Sequence, residues 1–243
     1  MNIDKIIRDV SLFFMLLIPI ALFTQYLLYP QETRCILINF SSLKKDGRVY
    51  YDTTASPQTI DSLKTIIDSA STRVTNFWGE KKSDPKFIYC TTADEYKKYG
   101  DDNASPATTH YKLGNYIVIS HDGLSINIIA HEMSHAELKQ RIGFYNETCK
   151  IPTWFDEGMA MQNDYRSCYS EDSFRVASNN YKKMADCNKL LTGKEFWSGS
   201  TQQVALNYMT AKHEVKRWYT KPKADSLISA LNSGRSFKEA YGQ

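Results

Sequence analysis

The chain has 243 residues, of which 42% are hydrophobic and 23% are charged, a composition that is ordinary for a globular protein. Eleven glycines and seven prolines exclude a collagen-like or low-complexity chain. Thirty lysines and arginines against 27 acidic residues give a net charge of +3, which is too small and too evenly spread to indicate nucleic-acid binding.

The first feature along the chain is a run without charged residues from Val10 to Gln31, in which sixteen of the twenty residues at 10–29 are apolar. Twenty helical residues cover about 30 Å, the thickness of a hydrocarbon core. The run therefore predicts a transmembrane anchor at 10–29, after a cytoplasmic tail at 1–9. The chain is predicted to be a single-pass membrane protein with residues 30–243 outside the cytoplasm.

A cleaved signal peptide is the alternative interpretation of the same run, because residues 1–9 form a short, partly basic segment before it. Cleavage would give a secreted or periplasmic protein. The stretch FTQYLLYPQETR contains no small-x-small cleavage site, which favours an uncleaved anchor.

Beyond the anchor, the pattern predicts a juxtamembrane segment at 30–60, with a possible hairpin, and one folded domain at 61–243. Strands are expected at 35–40, 48–52, 86–90, 108–112 and 116–120, and helices at 61–78 and 92–99. Helices are expected afterwards at 124–142, 153–164, 202–219, 226–232 and 236–241. Because strands come first and helices follow, the predicted class is α+β.

The residues with the clearest chemistry form the motif H-E-x-x-H at 131–135, on the helix expected at 124–142. Residues four apart lie on one face of a helix, so His131 and His135 can bind one metal ion. Glu132 is rotated by about 100° from His131, where its carboxylate can reach a water beside the metal. This spacing is typical of metal-dependent hydrolysis, in which the carboxylate takes a proton from the attacking water.

A catalytic zinc ion takes three protein ligands and keeps one position open. Glu157 follows His135 by 22 residues and lies in the first turn of the helix expected at 153–164. Because the two histidines require a third ligand, we expect Glu157 to supply it. Gly158 is expected to let its helix approach a neighbouring part of the structure closely. Asp156 is interpreted as a carboxylate that complements the helix dipole.

H-E-x-x-H followed by W-x-x-E-G-x-A at 154–160 resembles the gluzincin zinc metallopeptidases, specifically the small bacterial peptidase MA-like domains. The resemblance extends over about residues 60–243 and includes the segment Leu227–Gly242. It implies a zincin-like domain with N-terminal strands or a β-ribbon, an active-site helix and C-terminal helices. It also implies one Zn²⁺ per chain bound by His131, His135 and Glu157, with Glu132 as general base and acid.

The resemblance further implies a tyrosine or histidine on a later helix that stabilises the oxyanion, and Tyr208 holds that place, with His213 as the second choice. Some gluzincins orient a zinc-binding histidine with a carboxylate three or four residues after the third ligand. The chain has none there, so a backbone carbonyl or another acid would have to do so.

The sequence thus predicts a membrane-anchored zinc peptidase that acts on a peptide or protein laid along an edge strand. The alternative is a catalytically inactive zinc-binding domain that presents a partner-binding groove at the membrane. The presence of Glu132 argues against this alternative, because zinc binding alone makes no demand on that position.

Overall fold

The computed structural model describes residues 23–101, 105–110 and 114–242, together with residues 13, 15, 17, 19 and 20. The named elements follow in chain order: α1 (Pro30–Ile36), β1 (Lys44–Asp46), β2 (Val49–Tyr51), α2 (Pro57–Trp78), β3 (Lys86–Tyr89), α3 (Ala93–Tyr99), β4 (Ala107–His110), β5 (Tyr116–Ile119), α4 (Ile126–Cys149), α5 (Thr153–Ala160), α6 (Glu171–Ala177), α7 (Gly193–Phe196), α8 (Thr201–Trp218), α9 (Lys221–Asn232) and α10 (Phe237–Tyr241).

The five strands form one mixed sheet in the order β1-β2-β3-β5-β4. The three central strands β2, β3 and β5 are parallel, and β1 and β4 pair antiparallel at the two edges. Parallel neighbours need a crossover connection, and α2 supplies it between β2 and β3. The edge strand β4 packs against α4, the helix that carries the H-E-x-x-H motif.

Helices cover both faces of this sheet. Side chains of successive strand residues point to opposite sides, and the strands bury apolar residues on both. Phe87 and Ile117 lie in the larger core, which α2, α4 and the C-terminal helices share. Ile88 and Val118 face the other way, into a smaller core with residues of α1 and α3. The motif helix α4 is therefore held between the sheet and the helices that follow it.

The observed class is α+β, as predicted, but the first of the expected strands is not observed. Residues 35–40, expected as a strand, belong to α1 and a following 3-10 turn, because Pro30 opens a helix there and a short apolar run fits either structure. The motif helix was expected to end at Gly143, and the helical conformation is interrupted at that residue, which has a φ of 79° and a ψ of 160°. A second helical stretch follows this kink, so α4 has two parts, of which the first carries the motif.

The prediction of a transmembrane helix is contradicted by the structure. The segment 10–29 lies partly outside the described residues. In the portion of the chain that is described, no helix combines the length and the apolar character needed to cross a bilayer. This finding contradicts the predicted membrane-spanning element of the fold and the predicted single-pass location. Counting apolar residues measures composition alone, and composition does not by itself establish a helix of the length that a bilayer requires.

Candidate metal centre

The three predicted metal ligands lie together between α4 and α5, and all three are buried. His131 and His135 project from one face of α4, and their Nε2 atoms are 3.1 Å apart. Oε2 of Glu157, in α5, lies 3.3 Å from Nε2 of His131 and 3.7 Å from Nε2 of His135. The structure therefore joins two residues that are neighbours on one helix to a third that is distant in sequence.

These distances fit a tetrahedral metal ion. Ligand atoms about 2.0–2.1 Å from a tetrahedral zinc lie about 3.3–3.4 Å from one another, close to the three observed separations. Oε2 of Glu157 is buried and accepts no hydrogen bond from the part of the chain that the structure describes. A buried carboxylate oxygen without a donor is costly, and a cation between the three atoms would satisfy it. The cluster can thus hold a metal ion.

Asp156 lies behind one of the two histidines. Its Oδ1 is 2.9 Å from Nδ1 of His135. Burial by itself lowers the pKa of His135, but Asp156, and after it Glu157, outweigh burial and raise that pKa to about 10. The site therefore favours a positive charge, which either a proton or a metal ion can supply.

The close approach of α5 to α8 fixes the position of Glu157. A Cβ atom on Gly158 would lie only 2.6 Å from the backbone oxygen of Ala211 and 2.6 Å from Cγ2 of Val215. Glycine at this position lets α5 pack directly on α8. The sequence predicted a close approach at Gly158 but not the helix that makes it. The adjacent residue Glu157 is thereby directed towards α4.

Glu132, the predicted general base, lies beside the cluster but is not one of the three converging ligands. Its Oε2 accepts a hydrogen bond of 2.6 Å from Oγ1 of Thr109, on the edge strand β4. The charge of Glu132 contributes to the raised pKa values of both His135 and Tyr208, which places the carboxylate near both residues.

Tyr208 also lies at the site, with its ring centre 6.4 Å from that of His131. Its hydroxyl oxygen accepts a hydrogen bond of 3.0 Å from Nε1 of Trp197, which leaves its own proton available to another acceptor. Burial, with the nearby Glu157 carboxylate, raises the pKa of Tyr208, so the phenol stays protonated. His213, the second choice, instead pairs with Glu171 at 2.9 Å.

Two residues near the site were not recognised from the sequence. Asp156 was assigned only to the helix dipole. Its place directly before Glu157, with no acid following in α5, could have indicated that it is the acid that orients a metal-binding histidine. Thr109 gave no signal, because it precedes Glu132 by 23 residues and reaches it only through the packing of β4 on α4.

No known protein family matches the chain, and no curated protein is detectably similar to it.

Proposed function

We propose that this protein is a zinc-dependent peptidase of the gluzincin type. The observation that carries the proposal is the convergence of His131, His135 and Glu157, with the Oε2 atom of Glu157 lacking a hydrogen-bond donor among the described residues. Two histidines and one glutamate are the protein ligands of several catalytic zinc sites, and three ligands leave one coordination position for a reactant. This donor set suits zinc, as it also suits other first-row divalent metals, and zinc is the metal that the proposed peptidase chemistry uses.

Zinc bound at this site would supply Lewis-acid chemistry, by polarising a carbonyl group and lowering the pKa of a water molecule. Glu132 would take a proton from the attacking water onto its carboxylate and pass it to the leaving amine nitrogen as the C–N bond breaks. The Tyr208 hydroxyl would donate a hydrogen bond to the carbonyl oxygen as negative charge develops on it.

The edge strand β4 supports a peptide as the substrate. β4 pairs only with β5 in the described sheet, so the backbone groups on its other side can pair with an added strand. Thr109 in the middle of β4 contacts Glu132. An extended peptide added to β4 would thus run beside the residue proposed as the base.

The test begins with the full chain, purified, loaded with zinc and analysed for metal content and for hydrolysis of a peptide library. We expect about one zinc per chain and cleavage of peptides. Glu132→Gln should retain zinc and lose turnover, since the amide cannot take the proton. Glu80→Gln, which changes an exposed glutamate, is the matched control and should behave as the unmodified chain does.

Two outcomes would overturn the proposal. If the purified chain retains no zinc after incubation with excess zinc, the proposed metal centre is overturned. Zinc binding without cleavage of any peptide, in a chain with Glu132 intact, would instead indicate a domain that binds zinc without catalysis.

A further inference from the structure

The hydroxyl group of Thr109 makes a short contact with the carboxylate of Glu132. Oγ1 of Thr109 lies 2.6 Å from Oε2 of Glu132 and 3.2 Å from the backbone oxygen of the same residue. A threonine hydroxyl has one proton, and the shorter contact, to the charged oxygen, is the stronger hydrogen bond. A glutamate side chain has several rotatable bonds, so a bond at its tip limits its orientations.

Neighbouring residues in β4 show that this contact belongs to one face of the strand. Thr108 points to the opposite face, where its Oγ1 lies 2.8 Å from the hydroxyl oxygen of Tyr96 in α3. Both threonines are half-buried. The strand therefore carries two similar hydroxyl contacts, of which only that of Thr109 reaches the metal centre.

We propose that Thr109 is a positioning residue, which holds the Glu132 carboxylate in the orientation required to take a proton from the attacking water. The proposal rests on the proposed peptidase function. It gives the edge strand a second task besides peptide docking, because β4 then fixes the base relative to the substrate that it binds. A contact that only joined β4 to α4 would contribute to folding but not to the rate of the chemical step.

The kinetic test compares Thr109→Val, Thr109→Ser and the matched control Thr108→Val in the zinc-loaded full chain. Valine keeps the shape of threonine and removes the hydroxyl group, whereas serine keeps the hydroxyl group. We expect Thr109→Val to lower kcat about tenfold, with KM and zinc content unchanged, since a misplaced base slows only the chemical step. Thr109→Ser should recover most of kcat, and Thr108→Val should leave it unchanged.

A second measurement does not depend on activity. Urea unfolding of the zinc-free chain is compared for Thr109→Val, Glu132→Ala and the double variant. If the two side chains interact, the double variant should be less destabilised than the sum of the single variants. The pair Thr108→Val and Glu132→Ala should be additive.

The outcomes separate this proposal from the function on which it rests. If the unmodified chain hydrolyses no peptide, both the function and the role of Thr109 are overturned. If it does, an equal kcat for Thr109→Val and Thr108→Val overturns the role of Thr109 alone. Additive effects of Thr109→Val and Glu132→Ala would also overturn it, by removing the interaction between the two side chains.

Discussion

Two buried glutamates, one on each side of the turn between α4 and α5, have opposite surroundings. Glu137 in α4 is 0% exposed, and its two oxygens accept hydrogen bonds of 2.8 Å from the backbone amides of Lys82 and Ser83. Arg141, one turn further along α4, lies 2.7 Å from Oε1 of Glu137. Glu157 in α5 is 5% exposed, and its Oε2 faces two imidazole nitrogens instead of donors.

The difference shows what a buried carboxylate requires. Removal from water is costly for a charged group unless donors or a positive charge replace the lost hydration. Glu137 obtains both from the chain, since Arg141 is its cation and two amides are its donors. Oε2 of Glu157 has no hydrogen-bond donor within the described residues, so its charge is balanced only when a proton or a metal ion occupies the facing imidazoles. Full pairing thus marks a structural carboxylate, and incomplete pairing marks a binding site.

The largest effect is expected from the fully paired glutamate. Glu137→Ala should lower the free energy of unfolding by about 3–5 kcal/mol, because it leaves the guanidinium of Arg141 buried without its carboxylate. Urea denaturation of the zinc-free chain measures this loss. Zinc content per folded chain should not change. A loss below about 1 kcal/mol would contradict the structural role assigned to Glu137.

Zinc binding is expected to change the free energy of unfolding by a similar or smaller amount than Glu137→Ala does. Zinc at about a thousand times its Kd should stabilise the chain by about 4 kcal/mol, since it binds only the folded state. Thermal unfolding with and without a chelator measures this gain. Glu157→Ala should lose most of it, while its zinc-free stability should fall far less than that of Glu137→Ala. An equal zinc-dependent gain in Glu157→Ala and in the unmodified chain would argue against Glu157 as a ligand.

The smallest effect is expected at Asp156, whose carboxylate contacts the ring of the predicted ligand His135. Asp156→Asn should weaken zinc binding about 10–100-fold, because the carboxylate no longer orients His135 or increases its basicity. Competition with a chelating dye measures the Kd. Asp172→Asn, which changes an exposed acid in the first turn of α6, is the matched control. Equal zinc affinities in the two variants would return Asp156 to the helix-dipole role that the sequence suggested.

Much of the local structure followed from short-range patterns. A helix was expected at 92–99, and the side chain of Thr92 accepts a hydrogen bond from the backbone amide of Glu95 at the start of α3. Such caps depend on residues three apart, which the sequence displays directly. The order of the strands was not predictable, because β5 inserts between β3 and β4 through long-range pairing. The membrane-spanning helix was predicted from composition and is contradicted by the described residues.

The sequence by itself determined that His131 and His135 share one face of a helix, with Glu132 on an adjacent face, because helical geometry fixes the positions of residues one and four apart. It also favoured Glu157 as a partner by the chemistry of its donor set. Only the tertiary structure decided that the Glu157 carboxylate reaches both imidazoles, that Asp156 lies behind His135 and that Thr109 holds Glu132. Those contacts join elements that are distant in sequence, and the relative positions of such elements depend on packing, for example the packing of Gly158 on α8. Short-range sequence patterns do not encode these relative positions.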